Sequence, residues 1–148
     1  SEDDFKNKVS NDFFLEHALV HGNFYGTSKD FVETKIAEGI NIILEIDVQG
    51  VQQIKSTNFP HESIFLLPPS IESLTERLNE RGTNSKESIE LRLSNAMKEI
   101  PSCKDYDHIL VNDVFEDCCN DLARIITGED SFPMNSKKEL FLTKLLNS

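Results

Sequence analysis

No run of apolar residues in this sequence approaches the roughly 20 that a helix needs to cross a bilayer, and its opening, SEDDFKNK, is acidic and polar, unlike a secretory signal. Basic side chains are also in short supply. The 15 Lys and Arg face 26 Asp and Glu, giving a net charge of −11 that repels nucleic acid and anionic membranes, so neither is expected as a partner. An anionic nucleotide would have to be held by local arginines. Cysteine is scarce as well: Cys103, Cys118 and Cys119 form no C-x-x-C, which speaks against a disulfide framework or a zinc site and fits a reducing, cytoplasmic setting. His17, His21, His61 and His108 show no metal-ligand spacing, so no direct metal site is expected. Internal repeats and low-complexity tracts are missing too. What is present is 148 residues at 38% hydrophobic content, the size of one ordinary domain with a real core.

Local signals predict the elements in order. Ser1 caps a short helix carrying Phe5 and Val9 on one face, with Asp3 and Asp4 near its positive end. A second helix is expected from near Ser28 to Ala37, stopping at Gly39. Ile40 to Ile46, INIILEI, is a nearly continuous β-branched run and predicts a strand covered on both faces, as in a parallel sheet. Ser63 to Leu67 repeats the pattern and ends at Pro68-Pro69. Ser70 caps a helix with Ile71, Leu74 and Leu78 on one stripe, ending at Gly82; Ser85 caps the next, whose stripe is Ile89, Leu93, Ala96 or Met97, and Ile100. His108 to Val111 is a third short strand. Helices around Val114 to Ile126 and Lys137 to Leu146 follow, separated by the turn-rich stretch Gly128 to Ser136. Strands alternating with helices predict an α/β fold, a parallel sheet with flanking helices.

Within FFLEHALVHGNFYGT (Phe13 to Thr27) a carboxylate, Glu16, sits in an apolar run ahead of the Gly-bracketed aromatic turn Gly22 to Gly26. A lone buried acid is costly unless something donates to it. Guanine offers a ring N–H beside an exocyclic amino group, which a fixed carboxylate can accept as a fork; adenine lacks that pair. The alternatives are a solvated helix position or a pairing with His17 or His21. Tyr25 can donate its hydroxyl to a phosphate oxygen and Thr27 offers a second hydroxyl, with small neighbours such as Gly26 letting a phosphate approach; the alternative is a β-turn with a surface tyrosine. Glu45 and Asp47 stand at period-two spacing, so both point to one side at the end of a strand, where ligands of open α/β sheets bind. Otherwise they cap a following turn or helix. Arg77 and Arg81 lie one helical turn apart, a repulsion of roughly 0.2 to 0.5 kcal/mol that a bound anion would reverse. Arg92 could complete the cluster, or all three could pair on the surface with Glu76, Glu80 or Glu90.

That first block, followed in order by NIILEIDVQGVQQIK (Asn41 to Lys55), IFLLPPS (Ile64 to Ser70), RLNERGTNSKESIELRL (Arg77 to Leu93) and ILVND (Ile109 to Asp113), resembles the guanylate kinases over nearly the whole chain. The resemblance implies the fold of the phosphate-loop nucleoside monophosphate kinases. It divides the chain into the C-terminal part of the GMP-binding region (1–29), core (30–69), lid (70–100) and core with C-terminal helices (101–148). It implies transfer of the terminal phosphoryl group of ATP to GMP, giving ADP and GDP, with Mg²⁺ accompanying ATP. Glu16, Tyr25, Thr27 and Asp47 would hold GMP. Arg77, Arg81 and Arg92 would act on the transferring phosphoryl group, and Asn112 would lie on the adenine side. Glu45 would face the magnesium and phosphates, although the family usually has Asp there.

Two family features are not found in these residues: the G-x-x-x-x-G-K-[ST] phosphate loop and the R-x-x-R-x-G-E segment. The chain therefore matches the larger, C-terminal portion of such an enzyme and is expected not to turn over alone. The family's phosphate-loop strand lies between those corresponding to Asn41 to Ile46 and Ser63 to Leu67, so two unpaired inner edges are expected, a gap unstable or prone to aggregate unless filled. Two other functions fit parts of the pattern: a catalytically dead guanylate-kinase-like module binding phosphopeptide or nucleotide, and a phosphate-loop kinase with another acceptor. Oligomeric state is left open.

Overall fold

Residues 1–20, 23–80 and 86–147 are described by the structure, a computed structural model, in which the chain divides into two units, Ser1–His61 and Glu62–Ser148.

In the first unit, Ser1 accepts the Asp4 N–H at 3.2 Å and starts helix α1 (Glu2–Ser10), as its sequence predicts. Strand β1 (Phe14–Val20) pairs antiparallel with β2 (Asn23–Ser28), with Glu16 opposite Thr27 and Ala18 opposite Tyr25. The aromatic segment expected as a turn is thus mostly strand; His21 and Gly22 lie outside the described residues. A register shift between Phe14 and Glu16 marks a bulge in β1, where Leu15 and Glu16 are both buried. Phe5 of α1 stacks on Phe14 and Phe24 with ring centroids 4.9 and 4.8 Å apart, covering one face of the hairpin. Ser28 then caps helix α2 (Lys29–Ala37), which stops as predicted at Gly39, where φ is 77°. Helix α3 (Val48–Ser56) was not among the predicted elements; it starts at Asp47, whose Oδ1 accepts the Gly50 N–H at 2.8 Å. Leu15, Val32 and Ile54 form the buried core of this unit.

The strand expected at Ile40–Ile46 is not formed: both sheets of the described residues lie elsewhere in the chain. Ile42, Leu44 and Ile46 pack against the core formed by Leu15, Val32 and Ile54, while Ile43 and Glu45 are exposed. Coverage of both faces was therefore the wrong expectation. A β-branched run becomes a strand only where a neighbour accepts its backbone hydrogen bonds, and none of the described residues does so here.

In the second unit β3 (Ile64–Leu67) pairs parallel with β4 (His108–Val111), Phe65 beside Ile109 and Leu67 beside Val111. Their connection runs through α4 (Ile71–Glu80), α5 (Lys86–Glu99) and a 3₁₀ segment, Ile100–Asp105. Helices α6 (Phe115–Ile126) and α7 (Ser136–Leu146) follow β4. One sheet face packs Leu67 and Ile109 with Ile100, Cys103, Leu142 and Leu145; the other packs Leu110 with Cys118 and Ile125. The parallel pair with helices on both faces is the α/β arrangement that the alternating pattern predicts. Ser70 receives the Ser73 N–H at 3.1 Å and starts α4 as expected; the caps predicted at Ser85 and Gly82 fall outside the described residues.

Candidate functional site

Opposite positions of an antiparallel pair share a face, and alternate positions along a strand share it too. Glu16, Thr27 and Tyr25 therefore stand on one face of the β1–β2 hairpin. Glu16 is only 6% exposed. Its Oε1 accepts the Thr27 hydroxyl at 2.5 Å, and this bond answers the question of what compensates the buried acid. Neither a solvated helix position nor a pairing with His17 describes it. Tyr25, on the same face as this pair, is 57% exposed.

The other oxygen, Oε2, borders the first turn of α3. A Cβ built on Gly50 would lie 3.3 Å from it, so a glycine leaves the room in which the carboxylate rests. That turn carries the positive end of the helix dipole, a favourable surrounding for an anionic side chain. Asp47, at the start of the same turn, uses Oδ1 to cap it and is otherwise exposed. Asp47 is thus a helix cap, one of the alternatives its sequence position allowed. Glu45, two residues earlier, is exposed and forms no ion pair among the described residues.

In the second unit, Nη2 of Arg77, in the last turn of α4, donates to the Asn112 carbonyl at 2.9 Å, just beyond β4. Asn112 itself donates its N–H to the Leu67 carbonyl at 2.8 Å. These two predicted residues are brought together through backbone. Arg92 is half-buried on α5, and Arg81 lies outside the described residues. Surface pairing of Arg77 or Arg92 with Glu76, Glu80 or Glu90 does not occur among the described residues. No group of three or more His, Cys, Asp or Glu among them could hold a metal ion. No helix among the described residues is long and apolar enough to cross a membrane.

Two contributors went unpredicted: Gly50, and Gln53 one turn further along α3. The signal available was Asp47 followed three residues later by Gly50 and then by Ile54, a capped helix with one buried stripe.

The family model described as "Guanylate kinase" matches residues 1–129. The guanylate kinase of Buchnera aphidicola subsp. Acyrthosiphon pisum (strain APS) is 40% identical over 148 residues, 99% of this chain and 72% of that protein. That of Escherichia coli (strain K12) is 45% identical over 130 residues, 87% of this chain and 62% of the relative. Among solved structures, guanylate kinase from Anaplasma phagocytophilum superposes with a TM-score of 0.68 at 32% identity, covering 90% of this chain and 63% of that one. The chain thus spans less than two thirds of the length of several relatives. With the family model matched over most of its residues and a relative 40% identical along nearly its whole length, the chain belongs to the guanylate kinase family.

Proposed function

We propose that the complete protein transfers the terminal phosphoryl group of ATP to GMP, giving ADP and GDP, and that this chain contributes the guanine-reading site and part of the phosphoryl-stabilising side. The observation that carries the reading is Glu16: a buried carboxylate, held by Thr27 on the same hairpin face as Tyr25 and resting against the helix that Asp47 caps. A carboxylate has about four acceptor positions, and Thr27 uses one, so the guanine ring N–H and amino group can be accepted together. Tyr25 and Thr27 supply hydroxyls for the phosphate and the base, and Asp47 a further acceptor for the base.

Phosphoryl transfer needs charge neutralisation and in-line positioning more than covalent chemistry. Arg77, Arg81 and Arg92 supply guanidinium groups for the equatorial oxygens, and Asn112 faces the adenine nucleotide. Mg²⁺ arriving with ATP would neutralise the phosphate oxygens. Among the described residues no cluster fits direct ligation of it; Glu45, a lone carboxylate, would serve it through water. The phosphate loop is not among these 148 residues, so we expect no turnover from them alone. Three free cysteines and nucleotide substrates fit the cytoplasm.

Calorimetry tests the guanine assignment. Glu16→Gln should weaken GMP binding more than tenfold, because a hydrogen bond to a charged acceptor is worth about 1.5 to 3 kcal/mol. Equal binding of GMP by both forms would sink the assignment.

A further inference from the structure

Glu16 sits at a bulge, and a bulge interrupts the ladder that would otherwise fix a strand residue in place. Something besides β2 must hold β1 there. His17, the next residue, has its backbone groups turned away from β2: its N–H donates to Gln53 Oε1 at 3.0 Å, and its carbonyl accepts from Gln53 Nε2 at 2.9 Å. The side-chain amide of Gln53 thus does for β1 what a peptide group of a further strand would do, satisfying a donor and an acceptor at once. Both bonds are partly buried, where their loss leaves polar groups costly to expose.

The helix that carries Gln53 is the helix that meets Glu16 directly. Along α3, Asp47 caps the start, Gly50 borders Glu16 Oε2, Gln53 grips His17 and Ile54 is buried in the core. One rigid element therefore sets the distance between the two acids assigned to the base. We propose that Gln53 is a positioning residue for the guanine-reading carboxylate: it locks the β1 backbone beside the bulge so that Glu16 meets the ring N–H and amino group of a 2-amino-6-oxopurine monophosphate. The inference rests on the reading of Glu16 given above.

The test uses the full-length protein, with calorimetric titration of GMP and of IMP, which lacks the exocyclic amino group, and thermal unfolding measured in parallel. Gln53→Met keeps length and removes both bonds; Gln53→Glu keeps the acceptor for His17 N–H and removes the donor; Glu16→Gln is the control. Gln53→Met should weaken GMP about tenfold, short of the 10²-fold that a misplacement of about 1 Å can cost, and IMP by less, so the preference for GMP shrinks. Gln53→Glu should fall between it and the parent. A lower unfolding temperature alone moves both nucleotides together and leaves their ratio intact. If Glu16→Gln abolishes the preference while both Gln53 variants keep it, or lose GMP and IMP by one factor, the positioning role is overturned and the Glu16 reading stands. A preference unchanged in Glu16→Gln overturns both.

Discussion

Gly26 separates the two faces of the hairpin at the level of a single atom. A Cβ built there would come within 2.7 Å of Phe14 Cδ1 and 2.9 Å of Cε1, and Phe14 is stacked on Phe5, so its ring has little freedom to retreat. The space was expected to let a phosphate approach the backbone; instead an aromatic ring fills it, on the face opposite Tyr25 and Thr27. Gly26→Ala should therefore destabilise by about 1 to 3 kcal/mol through overpacking, read as a lower urea midpoint with unchanged slope. A shift of less than about 0.5 kcal/mol would show that the ring moves aside freely. Residue type alone could not tell which face the missing side chain opens onto. That depends on strand register, and register is a property of two segments together.

Helix α3 gives Asp47 two duties that substitution can separate. As a cap, its Oδ1 satisfies the Gly50 N–H; as an acid, it is proposed to accept from the base. Asp47→Ser keeps a capping oxygen and should hold the unfolding midpoint within a few tenths of a kcal/mol, whereas Asp47→Ala should cost about 1 kcal/mol. Both should weaken GMP. Equal GMP binding by Asp47→Ser and the parent would leave Asp47 with the capping duty only. Elements of this kind also mark what can be read from a sequence. Helices α1, α2 and α4 begin at Ser1, Ser28 and Ser70 as predicted, because a cap acts within three residues of itself. Strands β3 and β4 were legible from short apolar runs bounded by breakers. Helix α3 was missed because Ile54 and Gly50 are its only buried positions, and a glycine carries no apolar signal. The hairpin was missed because pairing joins segments with no local mark of their partnership. Of the candidate site, Glu16, Thr27 and Tyr25 were picked out by residue chemistry, and the structure sets them on one hairpin face, whereas Gln53 bonds to the His17 backbone, which no side-chain motif encodes.

At the scale of the whole molecule, backbone pairing is unevenly distributed. Ile109 donates its N–H to the Phe132 carbonyl at 2.8 Å and lies in a parallel ladder with both faces covered, whereas none of residues 41–46 donates its N–H to a backbone carbonyl among the described residues. Deuterium exchange should reflect this. Peptides covering 41–46 should exchange in the earliest time points, and those covering 108–111 should stay protected until global opening. Matching protection of the two would mean that 40–46 pairs in solution. The alternation inside that segment has a further effect. Ile42, Leu44 and Ile46 are gripped by hydrocarbon, so sliding the segment by one position would drive Glu45 into oil and lift three aliphatic groups into water. The segment is therefore indexed before it has a neighbour: any strand laid along it later inherits an alignment already decided by the side chains underneath.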